Sequence, residues 1–407
     1  MTSHNLLATN LIATTTTEIW AWRLLVLFVF ALPLSIAASS IILTVLVALW
    51  ATLVIDQPYD SLAPKFFLPL LVYAGWTLLS VTFSIQPLTS FIESKEVLLF
   101  LVVPVVFRLA QGQRASTIAT VVLTVGAVAA VIGVVQYAIL EYDNLGQRPS
   151  GSMGHYMTYS GLLMLIITVA VSRILFGTSE RMWALIVLPA LIVALVVTLT
   201  RNALVGACVG VGLLLILKNI RLVVIAPIAA VAFVAIAPAP VLDRVYSTFD
   251  LQDPTNRDRL AMVTAGTAMV RDHPITGVGP EMVQVVYADY RPPTGVNEIN
   301  QHLHNVPLQI AAERGLPALL LWAWFVVMVV IDLTKRYRQP QSRALAAAGL
   351  ASIACMLTAG MFEYNFGDSE FLMLLLVLLT LPIAVTQPDG TTEQQQKAQG
   401  QTASAAA

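Results

Sequence analysis

The chain has little charge and little cysteine, and both shortages restrict what it can be. Only 11% of its 407 residues are charged, while 57% are hydrophobic. A soluble domain carries roughly a quarter charged residues, so the balance indicates an integral membrane protein. The two cysteines, Cys208 and Cys355, lie inside apolar stretches and are typical of packing residues rather than a disulfide. A net charge of −1 provides no basic field for nucleic acid.

Other absences argue against whole classes of membrane protein. The chain shows no internal repeat, which disfavours a transporter built from matched halves. The apolar stretches 116–139, 182–199 and 222–239 carry no ionisable residue at mid-depth, where coupled transporters usually need one. There is also no glycine-rich phosphate loop, so a nucleotide sugar is not expected as a substrate.

Apolar stretches recur from end to end of the chain, and a spanning helix needs about 20 such residues. We therefore predict an all-α polytopic membrane protein with about twelve spans. The predicted spans are residues 22–38, 40–55, 66–83, 95–110, 116–139, 157–176, 182–199, 203–217, 222–239, 316–333, 343–362 and 370–386.

Lysine and arginine in the short connections predict the orientation of these spans. With both termini in the cytoplasm, the basic residues concentrate in the cytoplasmic turns, and the long loop 240–315 falls outside. The chain then divides into a membrane region of nine spans (1–239), the outer loop (240–315), a membrane region of three spans (316–386) and a tail (387–407). The tail has few apolar residues, which predicts a disordered cytoplasmic segment.

Histidine and arginine collect on the predicted outer side, although topology does not require them there. An isolated histidine or arginine is often an ordinary surface residue, but this explanation does not account for so many of them on one side. It comprises His155, His273, His302, His304, Arg148, Arg201, Arg244, Arg257, Arg259, Arg271, Arg291 and Arg314.

Arg201 lies in a very short turn between two predicted spans, at the membrane surface. The next helix is predicted to begin at about Ala203, so its positive N-terminal end lies beside the guanidinium. Arginine binds phosphate oxygens through a planar fork, which would suit a phosphate at the level of the lipid headgroups. The alternative is an arginine that merely extends to lipid phosphates.

Two short helices are predicted in the outer loop. Residues 257–270 have helical spacing, with Leu260, Val263 and Val270 on one side, and a second helix is expected from Glu281 to Tyr290. We expect the loop to form a lid over the outer ends of the spans.

His304 and Asn305 precede a helical run from Val306 to Arg314, which Gly315 should end. A neutral imidazole at this surface can accept a proton from a sugar hydroxyl, although a polar residue before a helix is more often a cap. His302 lies two residues earlier, but no neighbouring carboxylate or cysteine has ligand spacing, so no metal or cofactor is expected. Glu363 and Asp368, in a turn on the same side, could orient His304, bind sugar hydroxyls or simply be turn residues.

Together these patches resemble the O-antigen ligase family, whose wider superfamily includes O-antigen polymerases and protein O-oligosaccharyltransferases. The resemblance rests on Thr200-Arg201, on the run from Arg257 to Pro280, and on His304-Asn305 followed nine residues later by Gly315. Ala318 stands where the family usually has a second glycine, and Val263 where it usually has tryptophan. Neither change removes a reactive group.

The resemblance implies a GT-C-like glycosyltransferase of the bacterial inner membrane with a periplasmic active site. Its donor would be a polysaccharide on undecaprenyl pyrophosphate, and its acceptor a hydroxyl of the lipid A-core oligosaccharide. His304 would be the general base, Arg201 and Arg259 would neutralise the pyrophosphate, and Arg148 or Arg291 would assist. Membrane lipids would be its other partners. A polymerase or protein ligase of the same superfamily is the nearest alternative; a polysaccharide transporter or a structural scaffold is a more distant one.

Overall fold

The computed structural model describes residues 2–56, 62–177, 181–225, 227–228, 231, 235, 239–247, 250 and 252–385, with side chains from residue 16 onward. Apart from an isolated bridge between Asn144 and Gln147, the regular structure of these residues is helical. The α-helices are α1 (Thr2–Ala31), α2 (Ile36–Asp56), α3 (Phe67–Val81), α4 (Pro87–Glu93), α5 (Val102–Leu109), α6 (Gln113–Ala138), α7 (Tyr156–Phe176), α8 (Arg181–Val197), α9 (Arg201–Lys218), α10 (Ala239–Tyr246), α11 (Pro254–Asp272), α12 (Val283–Tyr290), α13 (Val306–Tyr337), α14 (Arg343–Ala359) and α15 (Ser369–Ala384).

Five helices of the described part are long and apolar enough to cross a membrane: α2, α6, α7, α9 and α13. Four shorter apolar helices, α3, α8, α14 and α15, coincide with other predicted spans. The helical, polytopic character is therefore confirmed, while the number of twelve spans stays a prediction. Half of the residues of the predicted span 222–239, and the whole of the predicted disordered tail, lie outside the described residues.

Two predicted spans have different boundaries in the structure, and proline accounts for one of them. The stretch 22–38 is not one helix, because α1 ends at Ala31 and a turn containing Pro33 precedes α2. Proline cannot donate a backbone N–H to a helix interior. The stretch 95–110 is also not a uniform α-helix: it begins as a 3₁₀-helix, Ser94–Leu101, and continues as α5.

The core lies around α7 and α15, which are buried along most or all of their lengths. Small residues bring α9 close to both α7 and α14. A Cβ at Gly206 would overlap Met164, and one at Gly210 would overlap Cys355. Close backbone approach at small residues is how membrane helices gain van der Waals contact, since lipid offers no hydrophobic driving force between helices. Cys355 is thus a buried packing residue and a free thiol, as expected; Cys208 is also free and is exposed.

Helices α11 and α12 pack beside the start of α13 and form a second, smaller core. The apolar stripe predicted on α11 is mostly exposed: Leu260 is 57% exposed and Val263 43% exposed. The buried face combines Met262 and Met269 with the small residues Ala261, Ala265 and Gly266. A Cβ at Gly266 would crowd Leu303 and Leu308, so the small residues allow α11 to approach the start of α13.

Helix α13 is interrupted at Gly315, as predicted, with φ of 79° and ψ of 171°. The interruption leaves backbone groups without helical partners, and the loop after α11 supplies them. Val278 N–H donates to the Ala312 carbonyl, Gly279 N–H donates to the Glu313 carbonyl, and Leu316 N–H donates to the Pro274 carbonyl, each at 2.9 Å. The Trp76 indole N–H donates to the Arg314 carbonyl at 2.9 Å. The loop and the broken helix therefore form one unit.

Candidate functional site

His304 is held in an unusual backbone conformation at the start of α13. Its φ is 48°, in the left-handed region that side chains other than glycine seldom adopt. The helix cap is Asn305, whose side chain accepts a hydrogen bond from Leu308 N–H at 2.9 Å. The expected capping role thus falls to Asn305, and the imidazole of His304 is left available for other contacts.

Hydrogen bonds fasten this segment to the turn between α14 and α15. Val306 N–H donates to the Gly360 carbonyl at 2.7 Å, and the Asn305 amide donates to the Met361 carbonyl at 3.1 Å. The turn and the histidine segment are far apart in sequence. Because the two residues that follow His304 are both joined to the turn, the position of His304 relative to the turn is fixed.

The turn supplies Glu363, which contacts the ring of His304. Nδ1 of His304 lies 2.8 Å from Oε2 of Glu363, and the Glu363 side chain is 11% exposed. An ionised carboxylate can only accept, so Nδ1 carries the proton, and Nε2 is the ring nitrogen free to accept one. Burial raises the pKa of the Glu363 carboxyl, but the hydrogen bond from His304 and the nearby charges outweigh burial, and the pKa falls below its usual range.

His302 packs edge-on against His304, with the ring centroids 4.1 Å apart. Its Nε2 lies 3.7 Å from the other oxygen of Glu363. Burial, reinforced by the charge of His304, lowers the pKa of His302 to about 4. At neutral pH His302 is therefore uncharged and does not compete as a cation for Glu363.

These three side chains could also hold a metal ion. Ligand atoms of His302, His304 and Glu363 all lie within 4.8 Å of one another. The sequence around the two histidines offers no carboxylate at ligand spacing. The fold supplies one, Glu363, from a turn that is distant in sequence. However, the Nδ1–Oε2 hydrogen bond uses two of the same atoms, so a metal would have to replace it.

A cavity of about 280 Å³ opens beside His304 and contains Arg259 from α11. Burial lowers the pKa of the Arg259 guanidinium; the charge of Glu363 raises it and that of Arg244 lowers it further. The cavity therefore places a cation and a potential base side by side. A chemical group that carries negative charge next to a reacting carbon would fit this pair.

Arg201 lies at the first turn of α9, and protein groups hold its guanidinium. It donates to Ser247 Oγ at 3.3 Å and to Asn256 Oδ1 at 3.1 Å, and it lies 3.8 Å from Asp253 Oδ1. Arg244 lies 3.9 Å from the second oxygen of Asp253. Asp253 in turn caps α11. Arg201 is thus oriented by the same segment that presents Arg259.

Arg148 and Arg291, the two arginines expected to assist, are placed differently. The Arg148 guanidinium lies over the Tyr156 ring, 3.8 Å from its centroid. Burial lowers its pKa, Tyr156 opposes this change, and the charge of Arg244 adds to it. Arg291 lines neither the cavity beside His304 nor the larger one described below; its stem packs near Gly295. Arg148 is therefore close enough to Arg244 to feel its charge, whereas Arg291 lines neither of these cavities.

A larger cavity of about 480 Å³ lies on the other side of the histidine pair. Its lining includes His302 and Glu363 together with Glu96, Glu281 and Asp368. Asp368 does not contact His304: it caps α15 through Phe371 N–H and accepts a hydrogen bond from Thr158. Of the two carboxylates expected to orient the histidine, only Glu363 is hydrogen-bonded to it.

Sequence reasoning missed Asp258, Glu96 and Glu281, and it gave Arg244 no individual role. Asp258 accepts from the backbone N–H groups of Val296 and Asn297, both at 3.1 Å, and so ties down the stretch before His302. Its position between Arg257 and Arg259 was a visible signal, because an acid between two arginines seldom faces the same way as both. Glu96 and Glu281 gave no such signal, since only the fold brings them to the cavity.

Part of the chain matches a known family. No curated protein matches the chain. Residues 184–323 match the model of a family described as O-antigen ligase. The matched segment contains Arg201, Arg259 and His304, whereas Glu363 lies beyond it. In this segment the chain is similar to enzymes of the O-antigen ligase superfamily, set in a helical, membrane-type fold.

Proposed function

We propose that this protein is an O-antigen ligase acting on the periplasmic face of the bacterial inner membrane. It transfers a polysaccharide from undecaprenyl pyrophosphate to a hydroxyl of the lipid A-core oligosaccharide. The observation that supports this best is the pairing of His304, hydrogen-bonded to Glu363, with Arg259 at one cavity. A base beside a cation is what glycosyl transfer from a pyrophosphate requires.

His304 acts as the general base. Nε2 takes the proton from the acceptor hydroxyl, whose oxygen then forms a bond to the anomeric carbon of the donor sugar. The bond from that carbon to the pyrophosphate oxygen breaks, and its electron pair leaves with the pyrophosphate. Glu363 stabilises the imidazolium that forms, through the hydrogen bond to Nδ1. Attack opposite the leaving group inverts the anomeric centre.

The arginines neutralise the departing pyrophosphate. Arg259 lines the cavity, and Arg201 is held at the first turn of the neighbouring helix, where the helix N-terminus also favours anions. The contacts of Arg148 favour it over Arg291 as the assisting residue. The transfer as written needs no metal and no cofactor, because each charge that develops has a side-chain partner.

The test is the lipopolysaccharide made by cells that carry His304→Ala in place of the wild-type protein. Loss of a general base typically slows a reaction about 100- to 10,000-fold. We expect core without polymer, with full-length polymer accumulating on the lipid carrier. His273→Ala is the matched control, because His273 ends α11 and lines neither cavity; its product should be normal.

The products distinguish the alternatives. Core bearing a single repeat unit would identify a polymerase instead of a ligase. Normal polymer on core in the His304→Ala strain would rule out the role of His304. Arg201→Lys keeps the charge but loses the planar fork, so reduced ligation is expected; full activity would mean that only charge matters at this position.

A further inference from the structure

The cavity of about 480 Å³ has a lining unlike that of its smaller neighbour. Four of its lining residues are carboxylic acids: Glu96, Glu281, Glu363 and Asp368. Among the described residues that line it there is neither lysine nor arginine. The lining therefore offers no lysine or arginine to pair with an anionic ligand such as a phosphate, and its acids can only repel one.

Neutral polar and aromatic groups complete this lining. Asn202, Gln284, Gln301 and Asn365 contribute amides, and Tyr364 and Phe371 contribute rings. Asn365 is 7% exposed, and its Oδ1 has no hydrogen-bond partner within the described structure. Carboxylates and amides accept hydrogen bonds from hydroxyls, and rings pack against apolar faces. A ligand rich in hydroxyl groups matches this combination.

The two cavities meet at the histidine pair. Met157 lines both of them, His302 lines the larger and His304 lines the smaller. The rings of the two histidines are in contact. A sugar bound in the larger cavity therefore lies against His302, whose ring contacts that of His304.

The direction of the displacement decides which substrate lies where. The nucleophile and the leaving group occupy opposite faces of the anomeric carbon, and the arginines fix the leaving pyrophosphate on the side of the smaller cavity. Resting on the proposed transfer, we infer that the larger, carboxylate-lined cavity binds the acceptor as a saccharide whose accepting end carries hydroxyls and no phosphate. The donor pyrophosphate stays on the arginine side.

Glu281 is the best residue for testing this assignment. It lines the larger cavity and not the smaller one, and it lies in the loop between α11 and α12. Burial raises the pKa of the Glu281 carboxyl. Glu281→Gln keeps the size of the side chain but replaces the carboxyl group with an amide. Glu298→Gln is the matched control, because Glu298 is exposed and lines neither cavity.

The experiment measures equilibrium binding by calorimetry to the detergent-purified full chain. Three probes are used: core oligosaccharide from cells lacking this protein, the same material dephosphorylated with hydrogen fluoride, and inorganic pyrophosphate. In the wild type the dephosphorylated oligosaccharide should bind at least as tightly as the untreated one. Glu281→Gln should weaken its binding roughly tenfold, because a hydrogen bond between the carboxyl group and a sugar hydroxyl is lost. Pyrophosphate binding should not change in either variant.

Unchanged oligosaccharide binding by Glu281→Gln overturns the inference, as does a preference of the wild type for the phosphorylated form. Weaker pyrophosphate binding in Glu281→Gln would also overturn it, because the donor would then lie in this cavity. The proposed transfer is tested separately: the expected binding pattern without any ligation would contradict the ligase function and leave the saccharide site standing.

Discussion

The catalytic proposal depends on one strained residue. His304 adopts a left-handed backbone conformation, which costs about 1–3 kcal/mol for a residue that is not glycine. The contacts that immediately follow it, from Asn305 and Val306 to the turn 360–363, help to maintain this conformation. The conformation directs the ring toward Glu363 and the cavity with Arg259 instead of toward the helix end that Asn305 caps.

The contribution of Glu363 is positioning and charge, and two substitutions separate these effects. Glu363→Gln keeps an oxygen that accepts from Nδ1–H but removes the charge, so kcat should fall roughly tenfold. Glu363→Ala removes both, and a fall of about 100-fold or more is expected, because Nδ1 and Nε2 can then exchange roles. Steady-state kinetics with the lipid-linked donor measures both values.

Glu298→Gln, on the exposed loop, is the control for loss of a carboxylate as such. Equal kcat values for Glu363→Gln and the wild type would mean that charge on Glu363 does not support the histidine. A purely structural role would instead appear as a lower melting temperature with normal kcat in the folded fraction.

His302 makes the protein sensitive to acid in a defined pH window. Its pKa is about 4 in the folded protein, because of burial and the charge of His304, against an ordinary value of about 6.5. Between these values the unfolded chain binds a proton that the folded chain does not. Stability at this site is therefore complete above about pH 6.5 and is lost as the pH falls toward 4.

We expect the melting temperature of the purified protein to fall between pH 7 and pH 4.5, and to fall less in His302→Gln. His273→Gln should follow the wild type. Glu363, whose pKa is lowered, also contributes stability that is lost as the pH falls. This contribution remains in both His302→Gln and His273→Gln. Identical pH dependence of His302→Gln and the wild type would show that His302 titrates normally.

At the scale of elements, the break in α13 and the loop after α11 depend on each other. Gly315 needs its positive φ, and a Cβ there would overlap the Ile275 carbonyl. Gly277 also has a positive φ, and a Cβ there would overlap the backbone of Glu313. Each glycine allows the other segment to approach. The break therefore keeps the start of α13, with His304, attached to the loop that carries Arg259.

Gly315→Ala tests this dependence. The change should lower the free energy of unfolding by at least about 1–3 kcal/mol from backbone strain alone, with overlap adding to it. Ligation should fall with stability, because the His304 segment is displaced. Gly212→Ala is the matched control: a Cβ there meets no atom within 4 Å, and alanine favours helix. A normal melting temperature for Gly315→Ala would contradict the coupling.

An element could be predicted from the sequence when the residues that define it are close together in the chain. Apolar runs predicted most helices, and Gly315 predicted the break, because both signals are local. The apolar stripe of α11 did not predict its buried face, because Ala261, Ala265 and Gly266 are buried by the approach of α13, which the helix's own sequence does not report. Likewise, the run that ends at Pro280 was visible as part of the family resemblance, but its role as the partner of α13 was not.

At the scale of the whole molecule, the site is assembled from the ends of helices that meet at one level. His304 begins α13, the turn with Glu363 and Asp368 joins α14 to α15, and Arg201 begins α9. The residue types were readable because four of the five histidines and a group of arginines collect in the predicted outer segments of so apolar a chain. The contacts between these residues could not be predicted. Only the fold brings Glu363 to His304, and only the fold brings Glu96 and Glu281 to the larger cavity.

The same helices define an opposite end. Helix α14 has 17 residues and rises about 25 Å between the turn at 338–342 and the turn that carries Glu363. Lys335, Arg336, Arg338 and Arg343 lie around the first of these turns, which favours the cytoplasm for that end. The candidate site would then face the periplasm, where a lipid-linked polysaccharide is available.

Two single cysteines test this orientation. Thr294 is exposed in the loop beside the site, and Gln341 is exposed in the basic turn. In intact spheroplasts a membrane-impermeant maleimide should label Thr294→Cys but not Gln341→Cys, which should react only after permeabilisation. The wild-type chain is the control, because Cys208 and Cys355 lie within apolar helices. The reverse pattern would put the site in the cytoplasm and exclude a periplasmic ligase, since both cysteines report on the same helices from opposite ends.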